Sequence, residues 1–242
     1  MKVLMIIPAY NEEENILRTV NQVRNYESAN DEVVLDYIVI NDGSTDSTQK
    51  VCEREKIKCL RLIQNLGIGG AVQTGYIYAY RNDYDIAVQF DGDGQHDIES
   101  LEKLLEPILN QKYDFVVGSR FVDGTSQFLS TRMRRFGITW LSKMIKIFSG
   151  ITVKDPTSGF RAANKKCIKI FANHYPVDYP EPESIVMLSK KNIRIFETQV
   201  NMFERDGGAS SINMWKSIYY MFKVTLAIVC ASFQKEVITK EE

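Results

Sequence analysis

Residues 3–23 read VLMIIPAYNEEENILRTVNQV, and a change of pattern within them indicates the fold class. The uninterrupted apolar run over residues 3–7 is typical of a strand buried on both faces of a parallel sheet. After Pro8 the pattern changes, and residues 12–25 carry apolar side chains at helical spacing (Ile16, Leu17, Val20 and Val23). A buried strand that leads into an amphipathic helix predicts the start of a βαβ unit.

The same alternation continues along the first two thirds of the chain. Further strands are predicted over residues 33–40, 57–63, 86–90 and 113–117, and further helices over residues 46–56, 70–80 and 98–108. The last third predicts helices over 132–148, 164–172 and from Tyr179, a loop over 155–159 and a strand over 193–202. Together these patterns predict an α/β fold: a Rossmann-like, open and mostly parallel sheet flanked by helices.

Composition excludes several classes of protein. The chain has 242 residues, of which 44% are hydrophobic and 25% charged, as in ordinary globular proteins. The formal net charge of −1 provides no overall field that would attract nucleic acid. The four cysteines (Cys52, Cys59, Cys167 and Cys230) show no CxxC spacing, so we expect four buried free thiols in a reducing compartment.

Polar, glycine-rich segments follow four of the predicted strands. They are residues 8–12, 41–46, 65–70 and 91–96. In open α/β sheets, ligands bind beyond the carboxyl ends of the strands. The sequence therefore predicts a binding site at this edge of the sheet.

The segment after the fourth strand contains two carboxylates, Asp91 and Asp93, separated by Gly92. Such a pair can share a hard divalent cation, Mg²⁺ or Mn²⁺, and Gln95 can add a neutral oxygen. Aspartate and glycine also form turns readily, so a plain turn remains an alternative. Asp42, at the end of the second strand, can accept hydrogen bonds from a base or a ribose.

Four motifs carry a resemblance to a known family: IPAYNE at 7–12, INDGSTD at 40–46, NLGIG at 65–69 and FDGDGQH at 90–96. They resemble the inverting family 2 glycosyltransferases, which have a GT-A fold and use a nucleotide-diphosphate sugar. Within that family the chain is similar to the polyprenol-phosphate sugar transferases, such as the dolichol-phosphate mannose synthases. VGSRF at 117–121, Arg134–Arg135 and DPTSGFR at 155–161 extend the likeness. It covers residues 1–210, implying a GT-A domain there and a separate C-terminal amphipathic segment over 211–242.

The resemblance also implies roles for individual residues. The nucleotide would be lined by Pro8, Tyr10, Glu12, Ile40 and Asp42. The metal and the donor diphosphate would be held by Asp91, Gly92, Asp93 and Gln95. The phosphates of donor and acceptor would be contacted by Arg120, Arg135 and Arg205. Of these, Asp93 and Arg120 would assist the departure of the leaving group.

A catalytic base is less clearly indicated. Family members that glycosylate hydroxyl groups carry an acid, commonly Asp, at a late helix start, and here Glu183 or Glu181 occupies that region. We assign Glu183 as base or substrate contact, with Glu181 as the alternative. Acidic residues in a first helical turn also stabilise the helix dipole, which accounts for both without catalysis.

The family likeness leads to an expected reaction. We expect transfer, with inversion, of a hexose or N-acetylhexosamine from a nucleotide-diphosphate sugar to polyprenyl (undecaprenyl or dolichyl) phosphate, in cell-wall polysaccharide biosynthesis. One alternative is a transferase that extends a cell-surface polysaccharide at a sugar hydroxyl. Another is a non-catalytic subunit that binds a nucleotide sugar.

Residues 215–233 read WKSIYYMFKVTLAIVCASF and have an ambiguous pattern. The fully apolar part after Lys223 is about half of the ~20 residues that a membrane span needs. The aromatic and basic residues, together with Lys143 and Lys146, suit a helix at a membrane interface, but a core-packing helix fits equally well. We expect a cytoplasmic protein, peripheral on the inner face of the membrane. A small integral-membrane partner could supply an anchor.

Overall fold

The structure, a computed structural model, describes residues 1–26, 33–123, 132–203 and 214–233. Within these residues the strands are β1 (Lys2–Ala9), β2 (Val34–Asn41), β3 (Cys59–Arg61), β4 (Ile86–Gln89), β5 (Phe115–Ser119), β6 (Arg161–Asn164) and β7 (Ile195–Gln199). The helices are α1 (Ile16–Asn25), α2 (Thr48–Arg54), α3 (Gly67–Arg81), α4 (Leu101–Leu109), α5 (Arg132–Ser149), α6 (Lys165–Asn173), α7 (Pro180–Ser189) and α8 (Met214–Phe233).

The strands form one sheet in the order β3-β2-β1-β4-β6-β5-β7. All neighbouring pairs are parallel except β6, which runs antiparallel to β4 and β5. Alternate residues of β1 enter two apolar clusters, one beneath α1, α2 and α4 and the other beneath α3 and α6. The prediction of an open, mostly parallel sheet with helices on both faces is confirmed.

Strand β6 is the main departure from the predicted fold, because no strand is predicted between the loop over 155–159 and the helix over 164–172. Its sequence, RAAN, contains no β-branched or aromatic residue, so nothing local indicates a strand. The strand exists because it fills the gap between β4 and β5, where residues 161–163 are buried. Its insertion brings Arg161 beside Gln89 of β4, in register.

The glycine-rich segment over 65–70 is also not a plain loop, because α3 begins within it at Gly67. A β-carbon on Gly69 would lie 2.3–2.4 Å from the carbonyl oxygens of Val177 and Pro176. This glycine therefore allows helix α3 to approach the backbone of the segment before α7.

The cysteine prediction is confirmed in part. All four cysteines are free, but only Cys52 and Cys167 are buried. Cys59 is partly exposed because it lies on the short edge strand β3, and Cys230 is exposed on α8.

Helix α8 has two different faces. One face, with Val224 and Ile228, packs against α5 and α7 in an apolar cluster of its own. The other presents four side chains that are each more than half exposed: Tyr219, Phe222, Leu226 and Phe233. In the part of the chain that the structure describes, no helix is both long and apolar enough to cross a bilayer. The boundary predicted at residue 210 lies outside the described residues.

Candidate active site

A cleft of about 450 Å³ opens at the carboxyl ends of β1, β2 and β4. It is lined by Pro8, Ala9, Tyr10, Glu12, Asp42, Asn65, Gly67, Ile68, Ala71, Asp91, Gly92 and Asp93. Seven of the predicted site residues are in this set. Ile40 is not, because its side chain is fully buried in the core beneath α3. Its contact with the nucleotide stays a prediction.

The loops after β1 and β2 are tied to each other. The side-chain oxygen of Asn11, a residue at φ +56°, accepts the backbone N–H of Thr45 at 2.9 Å. The backbone N–H of Glu12 donates to the hydroxyl of Thr48 at 2.9 Å, and the buried Glu12 carboxylate accepts from the Asn15 amide. These bonds fix the wall of the cleft that Glu12 lines.

Asp42 is buried at the end of β2 and is held by the start of α3. Its Oδ1 accepts the backbone N–H of Leu66 at 2.7 Å, and its backbone carbonyl accepts from the side-chain amide of Asn65 at 3.2 Å. The neighbouring Gly43 has φ +66°, and a β-carbon there would lie 2.7 Å from the backbone of Gln64 and Asn65. The Asp42 carboxylate is thus held at the cleft in one orientation.

The Asp91–Asp93 segment is both a turn and a wall of the cleft. Asp93 Oδ1 accepts the backbone N–H of Gln95 at 3.0 Å, and Gly94 takes φ +73°. Asp91 Oδ1 accepts from Gln89 Nε2 at 3.1 Å, and its Oδ2 lies 3.0 Å from His96 Nε2. Burial by itself raises the pKa of Asp91, but the contacts with His96 and Gln89 outweigh it and hold that pKa below its ordinary value.

The donor set fits a hard divalent cation. Four carboxylates line the cleft, and two of them, Asp91 and Asp93, lie close together after β4. No group of three or more His, Cys, Asp or Glu side chains suited to a metal occurs among the described residues. Mg²⁺ and Mn²⁺ bind in this way, through one or two carboxylates with substrate phosphates and water as further ligands. Gln95 is not in the cleft lining. Its backbone N–H donates to Asp93 within the turn, and its carbonyl oxygen accepts the backbone N–H of Phe203.

The three predicted arginines are placed differently. The guanidinium of Arg120 is buried and forms two bonds to Asp155, Nε to Oδ2 at 2.7 Å and Nη2 to Oδ1 at 2.8 Å. Arg120 is therefore paired with the 155–161 segment and does not line the donor cleft, and its contact with a phosphate stays a prediction. Arg135 is exposed on α5 and lines a second cavity of about 200 Å³. Arg205 lies outside the described residues.

The second cavity lies between α5 and the segment after β5. It is lined by Phe121, Arg135, Ile138, Thr139, Ser142 and Lys154. The guanidinium carbons of Arg120 and Arg135 lie 5.4 and 6.0 Å from the ring centre of Phe121. This ring connects the cavity to the buried Arg120–Asp155 pair.

The two candidate acids at the start of α7 have different surroundings. Burial raises the pKa of Glu181, the charge of Arg161 opposes this, and the charge of Asp91 adds to it. Burial and the charge of Asp178 raise the pKa of Glu183 to about 6. The charge of Asp91 thus acts on Glu181, whereas that of Asp178 acts on Glu183, and the assignment of either acid as a base stays a prediction.

Three buried residues at the site carry no role in the sequence analysis: Gln89, His96 and Arg161. Arg161 is 1% exposed, and its guanidinium donates to the carbonyl oxygens of Ser158, Pro156 and Glu181 and to the hydroxyl of Ser184, at 2.6–2.9 Å. It joins the 155–161 segment to the start of α7. The sequence did contain a signal for Gln89, which is the one polar residue in the apolar run IAVQF. A polar side chain buried in a strand needs a hydrogen-bond partner, and that need indicates a role at the site.

Comparison with known proteins agrees with this arrangement. The sequence profile of the family described as "Glycosyl transferase family 2" matches residues 5–171, more than half of the chain. A UDP-N-acetylglucosamine–dolichyl-phosphate N-acetylglucosaminyltransferase of Methanococcus voltae is 31% identical over 218 residues, covering 82% of this chain and 84% of the relative. An undecaprenyl-phosphate mannosyltransferase of Micrococcus luteus is 29% identical over 225 residues, covering 88% of each chain.

Solved structures support the fold. Glucosyl-3-phosphoglycerate synthase from Mycobacterium tuberculosis, in complex with Mn²⁺, UDP and phosphoglyceric acid, matches with a TM-score of 0.70. The match covers 98% of this chain and 80% of that one at 15% sequence identity. Because the profile of glycosyl transferase family 2 matches more than half of its residues, the chain is a member of that family.

Proposed function

We propose that this protein transfers a hexose or N-acetylhexosamine, with inversion, from a nucleotide-diphosphate sugar to a polyprenyl phosphate, with Mg²⁺ or Mn²⁺ as cofactor. The observation that carries the proposal is the convergence of Asp42, Asp91 and Asp93 from two strand ends on one cleft. The acceptor class is supported by the relatives, which are named for transfer to dolichyl and undecaprenyl phosphate.

The donor would lie across the cleft. Asp42, held by the Leu66 N–H, would accept a hydrogen bond from the nucleoside. Asp91 and Asp93 would face the diphosphate, and Gln95, predicted as a further metal ligand, lies outside the cleft lining. A divalent cation held by Asp91 and Asp93 would supply positive charge that stabilises the departing diphosphate. An acceptor phosphate oxygen forms the new bond to the anomeric carbon, and the nucleoside diphosphate leaves with the electron pair of the old one.

The cavity with Arg135 and Lys154 is suited to the acceptor phosphate. Both side chains carry positive charge, and Lys154 Nζ is held on the Val122 carbonyl at 2.7 Å. A phosphate monoester is ionised at neutral pH and needs no strong base before it attacks. The proposed reaction therefore requires a cationic acceptor pocket more than it requires Glu181 or Glu183.

Replacement of Arg135 by Met tests the acceptor pocket. We expect the KM for a short polyprenyl phosphate to rise about 10-fold or more, because a hydrogen bond to a charged group contributes about 1.5–3 kcal/mol. The KM for the donor should stay unchanged, as measured by steady-state turnover with each substrate varied. Arg81→Met, at the far end of α3, is the matched control. An unchanged acceptor KM in Arg135→Met would reject this pocket.

A transferase with a sugar hydroxyl acceptor is the second candidate, and it is favoured by the acids at the start of α7, of which Glu181 feels the charge of Asp91 and has a raised pKa. A hydroxyl must lose its proton during attack, so a carboxylate near the reacting atoms is essential. We expect Glu181→Gln to slow transfer to polyprenyl phosphate only slightly, with Glu183→Gln as the comparison variant. Loss of all transfer in Glu181→Gln, together with activity on a saccharide acceptor, would favour the second candidate.

We further propose that the protein lies on the inner face of the membrane through α5 and α8. Trp140 of α5 donates to the Thr225 hydroxyl of α8 at 3.0 Å, and exposed apolar residues of the two helices include Phe136, Phe222 and Leu226. Lys143, Lys146 and Lys223 are also exposed on these helices. Apolar and basic groups on neighbouring helices suit an anionic bilayer surface. The small integral-membrane partner stays a prediction.

Removal of apolar groups from this surface should weaken binding to vesicles. Removal of all residues after 213 would take Val224 and Ile228 out of the core together with the exposed apolar residues of α8. Point substitutions test the exposed surface without this loss of core packing. We expect Phe222→Ser with Phe233→Ser to reduce binding to vesicles containing phosphatidylglycerol at least about 10-fold, since a buried Phe contributes about 1.5–3 kcal/mol. Ile63→Ser, a change at a fully exposed apolar residue after β3, is the control in the same sedimentation assay. Equal binding of all three proteins would contradict the proposal.

A further inference from the structure

The carboxylate of Asp91 is held from three sides. Gln89 Nε2 donates to Oδ1 at 3.1 Å, and His96 Nε2 lies 3.0 Å from Oδ2. On the third side is Gly159, where a β-carbon would lie 2.4 Å from Oδ2. The Asp91 side chain nevertheless keeps 32% exposure, and the residue lines the donor cleft.

The two ring nitrogens of His96 have different surroundings. The residue is 3% exposed, and its ring lies 5.5 Å from Phe90 and 4.9 Å from Phe160, centre to centre. Nδ1 is buried and has no hydrogen-bond partner among the described residues, whereas Nε2 faces a carboxylate. The tautomer with its proton on Nε2 satisfies this geometry, so the ring donates a hydrogen bond to Asp91. The rings of Phe90 and Phe160 fix the orientation of the imidazole.

Gln89 is equally fixed. It is 1% exposed at the end of β4, between Ile6 of β1 and Arg161 of β6 in the sheet register. Its oxygen is the acceptor for the Tyr175 hydroxyl, at the long distance of 3.5 Å. An ionised Asp91 carboxylate can only accept, so the end of the Gln89 amide that faces it is Nε2, which donates.

We propose that Gln89 and His96 are positioning residues that lock the Asp91 carboxylate and thereby make the metal site selective for Mg²⁺ and Mn²⁺ over Ca²⁺. This inference rests on the proposed function in one respect, the role of Asp91 as a metal ligand. Ca²⁺ takes six to eight oxygens and often binds a carboxylate through both of them, whereas Mg²⁺ requires a strict octahedron at shorter distances. Rotation of Asp91 to present both oxygens to a larger ion would break a partly buried hydrogen bond to Gln89 or His96.

The test compares Gln89→Met and His96→Met with Gln22→Met, a glutamine replaced on α1 away from the site. Mn²⁺ affinity is measured by electron paramagnetic resonance with UDP or GDP present, and Ca²⁺ affinity by competition against Mn²⁺. We expect the two site variants to bind Mn²⁺ about 10–100-fold more weakly, as is typical when groups that orient a metal ligand are removed. Ca²⁺ binding should weaken less, so that the preference for Mn²⁺ falls. A wild-type ratio of Mn²⁺ to Ca²⁺ affinity in both site variants would overturn the proposal.

A second pair of variants separates a positioning role from simple filling of the core. In His96→Gln the side-chain amide nitrogen can reach the position of Nε2, whereas in His96→Asn it reaches only that of Nδ1. We expect His96→Gln to restore most of the wild-type preference for Mn²⁺ and His96→Asn to lack it. Equal behaviour of the two would overturn the proposal, and the pair decides the matter if the Met variants do not fold.

Failure of this inference can be distinguished from failure of the proposed function. If the wild-type protein binds no Mn²⁺ with either nucleotide, the metal assignment itself is wrong and the inference is rejected with it. If the wild type binds Mn²⁺ and the site variants keep its selectivity, only the role of Gln89 and His96 is rejected.

Discussion

Asp93→Asn is expected to lower sugar-transfer turnover by about 10³-fold, a larger effect than we expect from any other single substitution in the cleft. The carboxylate lines the cleft beside Asp91, and its turn is fixed by the Gln95 N–H. Loss of its charge weakens the hold on a cation that would stabilise the departing diphosphate by several kcal/mol. Turnover of nucleotide sugar with a short polyprenyl phosphate measures the effect, and chelation of divalent cations in the wild type should reproduce it.

A suitable control is Asp83→Asn, which removes a carboxylate near the opposite end of β4. The backbone of Asp83 has φ +56°. Asparagine also adopts this backbone conformation, so the control should keep full activity. A normal rate in Asp93→Asn with saturating Mn²⁺ would reject the catalytic role of the carboxylate pair. A phenotype that survives replacement of both Asp91 and Asp93 by Asn would instead favour the non-catalytic nucleotide-sugar-binding subunit.

The largest expected effect on stability follows removal of one partner of the Arg120–Asp155 pair. Asp155 is fully buried, and its carboxylate accepts two guanidinium bonds and the Arg120 backbone N–H. Asp155→Leu would leave a buried guanidinium without its carboxylate, and we expect the free energy of unfolding to fall by about 3–5 kcal/mol. Urea denaturation monitored by circular dichroism measures the change.

The double variant Arg120→Met with Asp155→Leu should recover much of this loss, because neither buried charge remains. Lys165→Met, which breaks an exposed ion pair with Asp83, serves as the control and should leave the denaturation midpoint unchanged. A loss below about 1 kcal/mol in Asp155→Leu would show that water or another group replaces the carboxylate.

Much of the fold could be predicted because local pattern and tertiary environment agree there. The apolar run in β1 is buried on both faces, and the polar segments after β1, β2 and β4 meet in one cleft. The topology of a parallel sheet places every strand's carboxyl end on the same edge, so sequence order alone brings Asp42, Asp91 and Asp93 together. The cysteines and Ile40 show the limit of prediction from sequence. Cys59 and Cys230 are not buried as expected, and the side chain of Ile40 lies in the core, because exposure depends on which elements cover a residue.

The sequence by itself thus determined the parallel βαβ framework, the edge on which the site lies and the carboxylate pair, because periodicity and strand ends are local properties. Only the tertiary structure decided the insertion of β6, the pairing of Arg120 with Asp155 and the contacts of Gln89 and His96 with Asp91. Each of these features depends on contacts between parts of the chain that local sequence patterns do not relate. The physical reason is that the partner of a buried polar group depends on where the backbone folds back, and no local pattern of the chain encodes that position.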